Sequence, residues 1–306
     1  MGAYVEKTIV VSAPKRSGGT LLTNLFDSHP GIIDFIDEAF FWEHVYNYQE
    51  RGEESLFVDA FKSFGPEALE ASIIDRGLLP WIDGTFRAVN NFKLDLGFKR
   101  SVFLSTLNDL QYCSTISEIW DCLIRAYASA SSVDYRTART AFVFGGDYGR
   151  GMLATKTALK NCKCIFIIRN PYFALESLKK SRLIRNEKVL HPINFAQAIR
   201  HYSFFWNRRS EILDKRTILL RFEDLVTEPQ KTMKIVARHV GVEYTDNLVT
   251  PTLRGNPWRG DSSFGPLKGI DKSVINRKIE VLNEREKEFI HLHLKPILEH
   301  FDYKIT

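Results

Sequence analysis

Seven consecutive residues, Pro14-Lys15-Arg16-Ser17-Gly18-Gly19-Thr20, bring two cations, two glycines and two hydroxyls into one short stretch. An apolar run, Ile9-Val10-Val11, precedes them, and Leu21, Leu22, Leu25 and Phe26 follow at helical spacing. A buried strand entering a glycine turn at a helix N-terminus makes an anion site, because the loop N–H groups and the helix dipole face one point. Lys15 and Arg16 add charge there. The triphosphate loop G-x-x-x-x-G-K-[ST] is not met, since the cations precede the glycines and no lysine follows Gly19. G-x-G-x-x-G fails as well. The stretch suits one 5′-linked, phosphate-like group; the plain alternative is a glycine turn between strand and helix.

A second anion pattern lies some 150 residues further on. The apolar run Cys164-Ile165-Phe166-Ile167-Ile168 reads as a central parallel strand and leads into Arg169-Asn170-Pro171. Pro171 suits the first position of a helix, where its missing N–H is not needed. Ser177 follows Arg169 by eight residues, two turns into that helix. Arg169 offers a charged fork to phosphate and Ser177 a hydroxyl; the alternative for Arg169 is an ordinary ion pair. Between the two patterns, Glu38 ends the short strand-like run Ile32–Ile36. A carboxylate just past a strand's carboxyl end can take a proton from a hydroxyl, or simply serve as a first-turn acid.

These motifs carry a family resemblance. Pro14–Leu22, followed by Asp27-Ser28-His29-Pro30, resembles the 5′-phosphosulfate loop of sulfotransferases, which use 3′-phosphoadenosine 5′-phosphosulfate (PAPS) and release 3′,5′-bisphosphate (PAP). The resemblance implies a donor site built from Lys15, Arg16, Ser17, Gly18, Gly19, Thr20 and Leu21, with Arg169 and Ser177 on the 3′-phosphate. The usual form there is R-D-P, and Asn170 departs from it. Glu38, followed by Phe40, Phe41, Trp42, Glu43 and His44, is similar to the segment carrying the catalytic glutamate of heparan sulfate sulfotransferases. It implies Glu38 as general base, with His44 as second choice because aryl sulfotransferases use histidine. Lys156-Thr157 resembles a Lys-Thr-Pro element whose lysine lies near the transferred group, though Ala158 stands in place of proline. Lys156 is thus a candidate beside Lys15 and Arg16, the alternative being a solvated lysine. Arg221-Phe222-Glu223-Asp224-Leu225 resembles a structural signature of the family. Arg259 and Gly260, in the Gly/Pro/Ser stretch 254–264, occupy the place of a loop that closes over the donor.

The elements needed to hold these residues are legible around them. The chain of 306 residues, 44% hydrophobic, can bury a large core. The expected architecture is α/β: one domain over 1–306, a three-layer parallel sheet with helices on both faces, similar to nucleotide kinases. Residues of about 50–150 form a helical insertion expected to shape an acceptor pocket, with Trp42, Trp81, Lys93, Trp120 and Tyr148 as lining candidates. The net charge of +5 is spread without a Lys/Arg tract, so a nucleic-acid or polybasic membrane role is not indicated. Cys113, Cys122, Cys162 and Cys164 show no metal spacing and read as buried thiols. No leader or 18-residue apolar span is legible, and a cytoplasmic enzyme is expected. The function expected is sulfuryl transfer from PAPS to a hydroxyl of a small molecule or carbohydrate, without a metal. The alternatives are an ATP-dependent small-molecule kinase, and a non-catalytic nucleotide-binding module on the same fold.

Overall fold

The computed structural model describes residues 5–38, 40–63, 99–131, 134–146, 149–184, 191–253, 255–258, 269–275 and 277–305. Five parallel strands form the sheet: β1 (Lys7–Ser12), β2 (Ile32–Glu38), β3 (Thr140–Phe144), β4 (Cys162–Ile168) and β5 (Thr217–Arg221). Their order is β2-β3-β1-β4-β5. The chain leaves β1 toward one edge, returns through β3, and then crosses to β4 on the other side. The carboxyl ends of β1 and β4 therefore flank the switch point where open α/β sheets bind ligands.

Alternation along the strands divides the core into two layers. Val10, Ile33, Phe35, Val143, Cys164 and Phe166 face one layer of helices. That layer holds α2 (Phe40–Gln49), α3 (Glu54–Ser63), α4 (Arg100–Leu107), α5 (Ile116–Ala130), α6 (Arg150–Ala158), α7 (Pro171–Ile184) and α8 (Pro192–Asn207). A short turn of helix, α9 (Arg209–Ile212), follows α8. Ile9, Val11, Phe142, Ile165, Ile167 and Leu220 face the other side. There they meet α1 (Gly19–Phe26), α10 (Phe222–Thr227) and α11 (Pro229–Val240). The last helix, α12 (Glu284–His300), starts with the capping box that Asn283 and Glu286 predict. The expected α/β fold, with a parallel sheet covered on both faces, is the one observed.

Two elements near the site differ from the sequence reading. The stretch around Lys156 is not a lead-in to β4 but the end of α6, whose Thr155 hydroxyl bonds back to the carbonyl of Gly151. Between α5 and α6 lies β3, a five-residue strand in a region with no clear periodicity. Residues 64–98 lie outside the described residues, and with them Trp81 and Lys93; so does Tyr148. Trp42 and Trp120 are core side chains packed on each other at 5.0 Å, not pocket walls. No helix among the described residues is long and apolar enough to cross a membrane.

Candidate active site

Pro14–Gly18 turns between β1 and α1 at the switch point. Gly18 caps α1 with φ +98°, and a Cβ there would lie 2.4 Å from the Phe222 ring. Only glycine meets both conditions. Leu22 N–H makes the first helical bond, to Gly18, so the N–H groups of Gly19, Thr20 and Leu21 have no acceptor within the helix. They are the groups the sequence reading offers as anion donors. Ser17 is different. Its N–H donates to Pro14 carbonyl at 3.0 Å, and its hydroxyl lies 3.0 Å from the buried Tyr202 hydroxyl. Tyr202 donates its own proton to the Arg169 carbonyl at 3.1 Å, so Ser17 must donate to Tyr202. Both Ser17 donors are thus spent inside the protein.

Arg16 joins the two anion patterns. Its backbone adopts φ +64°, a left-handed conformation costing a non-glycine residue about 1–2 kcal/mol. Arg169 holds that turn by donating to the Arg16 carbonyl at 3.1 Å. In return the Arg16 side chain donates from Nε to the Ser177 hydroxyl at 3.3 Å. Residues 161 positions apart are brought into contact, and the two sequence patterns meet within the reach of one arginine side chain.

Arg169 is buried at the carboxyl end of β4, with its guanidinium 4.5 Å above the Phe222 ring and a further bond to Val274 carbonyl at 3.5 Å. Burial lowers its pKa to about 10, partly countered by Glu223, so it stays cationic at neutral pH. Glu223 itself is engaged. It accepts from Asn170 N–H at 2.9 Å and from the Tyr303 hydroxyl at 3.2 Å. Asn170 shows why an amide replaces the usual aspartate here. Its oxygen caps Tyr172 N–H at 3.1 Å, while its Nδ2 donates to Lys304 carbonyl at 2.9 Å, a bond a carboxylate cannot make. A cavity of about 520 Å³ opens beside Arg169, Arg221, Glu223 and Arg277.

The other sequence-predicted residues fall in different places. Glu38 ends β2, its backbone paired with Phe144 across a bulge, at the carboxyl edge; its side chain lies outside what is described. His44 is exposed on α2. The neighbouring Glu43 turns inward, its carboxylate against Gly146, whose carbonyl accepts from the Ser12 hydroxyl at 2.6 Å. Lys156 is displaced altogether. Its ammonium contacts Asp214 at 2.8 Å and donates to the carbonyls of Ile212 (2.6 Å) and Glu211 (3.2 Å), ahead of β5 at the amino edge of the sheet. A helix runs back across the sheet between β3 and β4, and its last turn ends opposite the anion loop. Lys156 therefore leaves the list of site residues. Arg259 and Gly260 lie outside the described residues.

Two residues that the sequence reading missed stand at the site. Tyr202 links loop and strand end from α8, and its neighbour His201 is buried close to Lys15, Arg200 and Arg150. Burial first, and these cations second, lower the His201 pKa to about 2, so its ring is neutral. A Tyr–His pair inside an amphipathic helix gives no local signal; only the fold brings it to the loop.

Residues 148–246 match the model of the sulfotransferase family. Over this segment, about a third of its length, the chain is similar to the sulfotransferase family. The matched stretch contains Arg169, Ser177, Tyr202 and Phe222–Leu225 but not the loop at 14–20. Solved structures extend the likeness of fold over the whole length. The sulfotransferase domain of the curacin biosynthetic pathway is 18% identical, with 99% of each chain covered and a TM-score of 0.61. The sulfotransferase domain of the Synechococcus PCC 7002 olefin synthase is 17% identical, covering 99% of this chain and 97% of that one, with a TM-score of 0.54. No curated protein matches the sequence.

Proposed function

We propose that this protein is a sulfotransferase, moving a sulfuryl group from PAPS to a hydroxyl of a small-molecule or carbohydrate acceptor. The observation that carries the reading is the contact between Arg16 and Ser177. It supports two anion sites a short distance apart, as the 5′ and 3′ oxygens of one ribose require. A triphosphate chain would need a lysine beyond the glycines, which the loop lacks.

The residues divide the work as follows. The N–H groups of Gly19, Thr20 and Leu21, with Lys15 and Arg16, bind the 5′ end and stabilise charge on the departing phosphate. Arg169 and Ser177 bind the 3′-phosphate. A hydrogen bond to a charged group contributes roughly 1.5–3 kcal/mol, so two of them favour a 3′-phosphorylated nucleotide by about two orders of magnitude or more. Glu38 is the proposed base for the acceptor hydroxyl, and Glu43 is the other carboxylate of that edge. Arg259 and Gly260 are proposed to close over the donor. Positioning and electrostatics carry most of the rate, and a sulfuryl group, less charged than a phosphoryl group, needs no bridging metal. A reducing, cytoplasmic setting suits the four buried free thiols.

Calorimetry and turnover test this directly. PAP should bind more tightly than ATP, and label should pass from PAPS to an acceptor in the presence of EDTA. Tighter binding of ATP would instead support a kinase, and PAP binding without any transfer a non-catalytic module. Glu38→Gln should keep PAP affinity and lose turnover, with Glu43→Gln much less affected. The reverse pattern would move the base to Glu43.

A further inference from the structure

The anion loop and the carboxyl end of β4 are joined by a ring of hydrogen bonds that closes through the Arg16–Ser17 peptide, with Ser177 as a branch. Ser17 donates to Tyr202, Tyr202 donates to the Arg169 carbonyl, Arg169 donates to the Arg16 carbonyl, and Arg16 donates to Ser177. Tyr202 is the member of the ring that belongs to neither anion pattern. It comes from α8, is fully buried, and its ring packs in the main core, so the hydroxyl is delivered by a rigid element. Burial raises its pKa, and the phenol stays protonated. A hydroxyl held this way, bonded at once to the loop and to the strand end, fixes the position of one half-site relative to the other.

We propose that Tyr202 is a positioning residue that aligns the 5′ and 3′ anion sites with each other, acting through Ser17 and the Arg169 carbonyl without touching the nucleotide. The proposal rests on the two-phosphate reading above. Its physical content is preorganisation. A ligand with one phosphate engages one half-site and needs no alignment, whereas a 3′,5′-bisphosphate needs both halves in register and bears the ordering cost if they are not. Without the Tyr202 hydroxyl, that cost falls on the bisphosphate alone. Ser17, released from Tyr202, also regains a free O–H for a 5′ anion. The mutation thus acts in opposite directions on the two kinds of ligand, which a general loss of packing cannot do.

The test uses the full chain and four probes measured by calorimetry: adenosine, adenosine 5′-monophosphate, adenosine 3′-monophosphate and PAP. The coupling between phosphates is the product of the PAP and adenosine association constants divided by the product of the two monophosphate constants. In Tyr202→Phe we expect this coupling to fall about five- to tenfold, as loss of one buried hydroxyl bond implies. Affinity for the 5′-monophosphate should hold or rise. Ser17→Ala breaks the same bond from the loop side and should lower the coupling equally, and the double variant should add nothing further. It also keeps the test open should Tyr202→Phe fold poorly. Equal losses for PAP and the 5′-monophosphate in either variant, or an unchanged coupling, would overturn the proposal. Wild-type protein that binds PAP no better than the 5′-monophosphate would overturn the two-phosphate reading itself, an outcome visible before any variant is made.

Discussion

Arg169 and Lys156 are both buried cations, 9% and 8% exposed, and both donate to backbone carbonyls. They differ in what answers their charge. Lys156 has the Asp214 carboxylate at 2.8 Å as well as two carbonyls, so its charge is neutralised within the fold. Arg169 has two carbonyls and an aromatic face, and no ion pair among the described residues; the nearby Glu223 is bonded to Asn170 and Tyr303 instead. A buried cation without its own anion is costly to keep, and such a cost persists where a ligand supplies the missing charge. Lys156 at the amino edge supports the fold. Arg169 at the carboxyl edge fits the proposed anion role.

The largest effect should come from removing Arg169. Arg169→Ala should weaken PAP binding by about two orders of magnitude, with a several-fold smaller effect on adenosine 5′-phosphosulfate. Arg169→Lys should recover only part of this, because an ammonium lacks the planar fork by which a guanidinium bonds the Arg16 carbonyl and presents a second edge to a phosphate. Titration calorimetry decides it. Equal losses for both nucleotides would make Arg169 a support for the loop and remove the contrast with Lys156.

Lys156→Met should reverse the pattern, keeping PAP affinity within about twofold while lowering stability. Truncating one member of a buried ion pair typically costs 3–5 kcal/mol and an exposed one about 0–1. With Asp214 30% exposed, about 2–3 kcal/mol is expected in denaturant unfolding. A large loss of PAP binding with unchanged stability would return Lys156 to the site.

The contrast also explains what could be read in advance. The strand–turn–helix junctions that carry Lys15–Thr20 and Arg169/Ser177 were legible because each is local: strand, turn and helix start fall within about twenty consecutive residues. Lys156 was misread because a Lys-Thr pair was matched to a loop element, while Arg150–Ala158 folds as a helix that carries it away from the site. The strand β3 escaped notice since five residues between Arg139 and Gly145 are too few for periodicity to speak. Tyr202 was invisible for another reason. Its hydroxyl matters through Ser17, 185 positions away, and no spacing rule spans that distance. The central strands were legible as apolar runs; the residues that couple the parts of the sheet were not.

Acid unfolding offers the finest test of the difference. Burial by itself would raise the Asp214 pKa, but hydrogen bonds from Lys156 and from the Arg216 backbone and side chain more than offset this and bring it to about 2. In the unfolded chain the group titrates near its ordinary value of 3.8. A carboxylate depressed on folding contributes stability that is full above the unfolded value and is lost as the pH falls through the folded one. The window is therefore about pH 4 to 2. Partial exposure of Asp214 limits the contribution to about 1–2 kcal/mol. In Lys156→Met the depression should shrink to what Arg216 alone supports, and stability should fall less steeply across that window than in the wild type. Arg169→Ala, which has no ion-paired carboxylate to lose, should follow the wild-type slope. If the slope of Arg169→Ala flattened instead, the buried arginine would be balanced by an acid inside the fold, and its charge would no longer be available to a ligand.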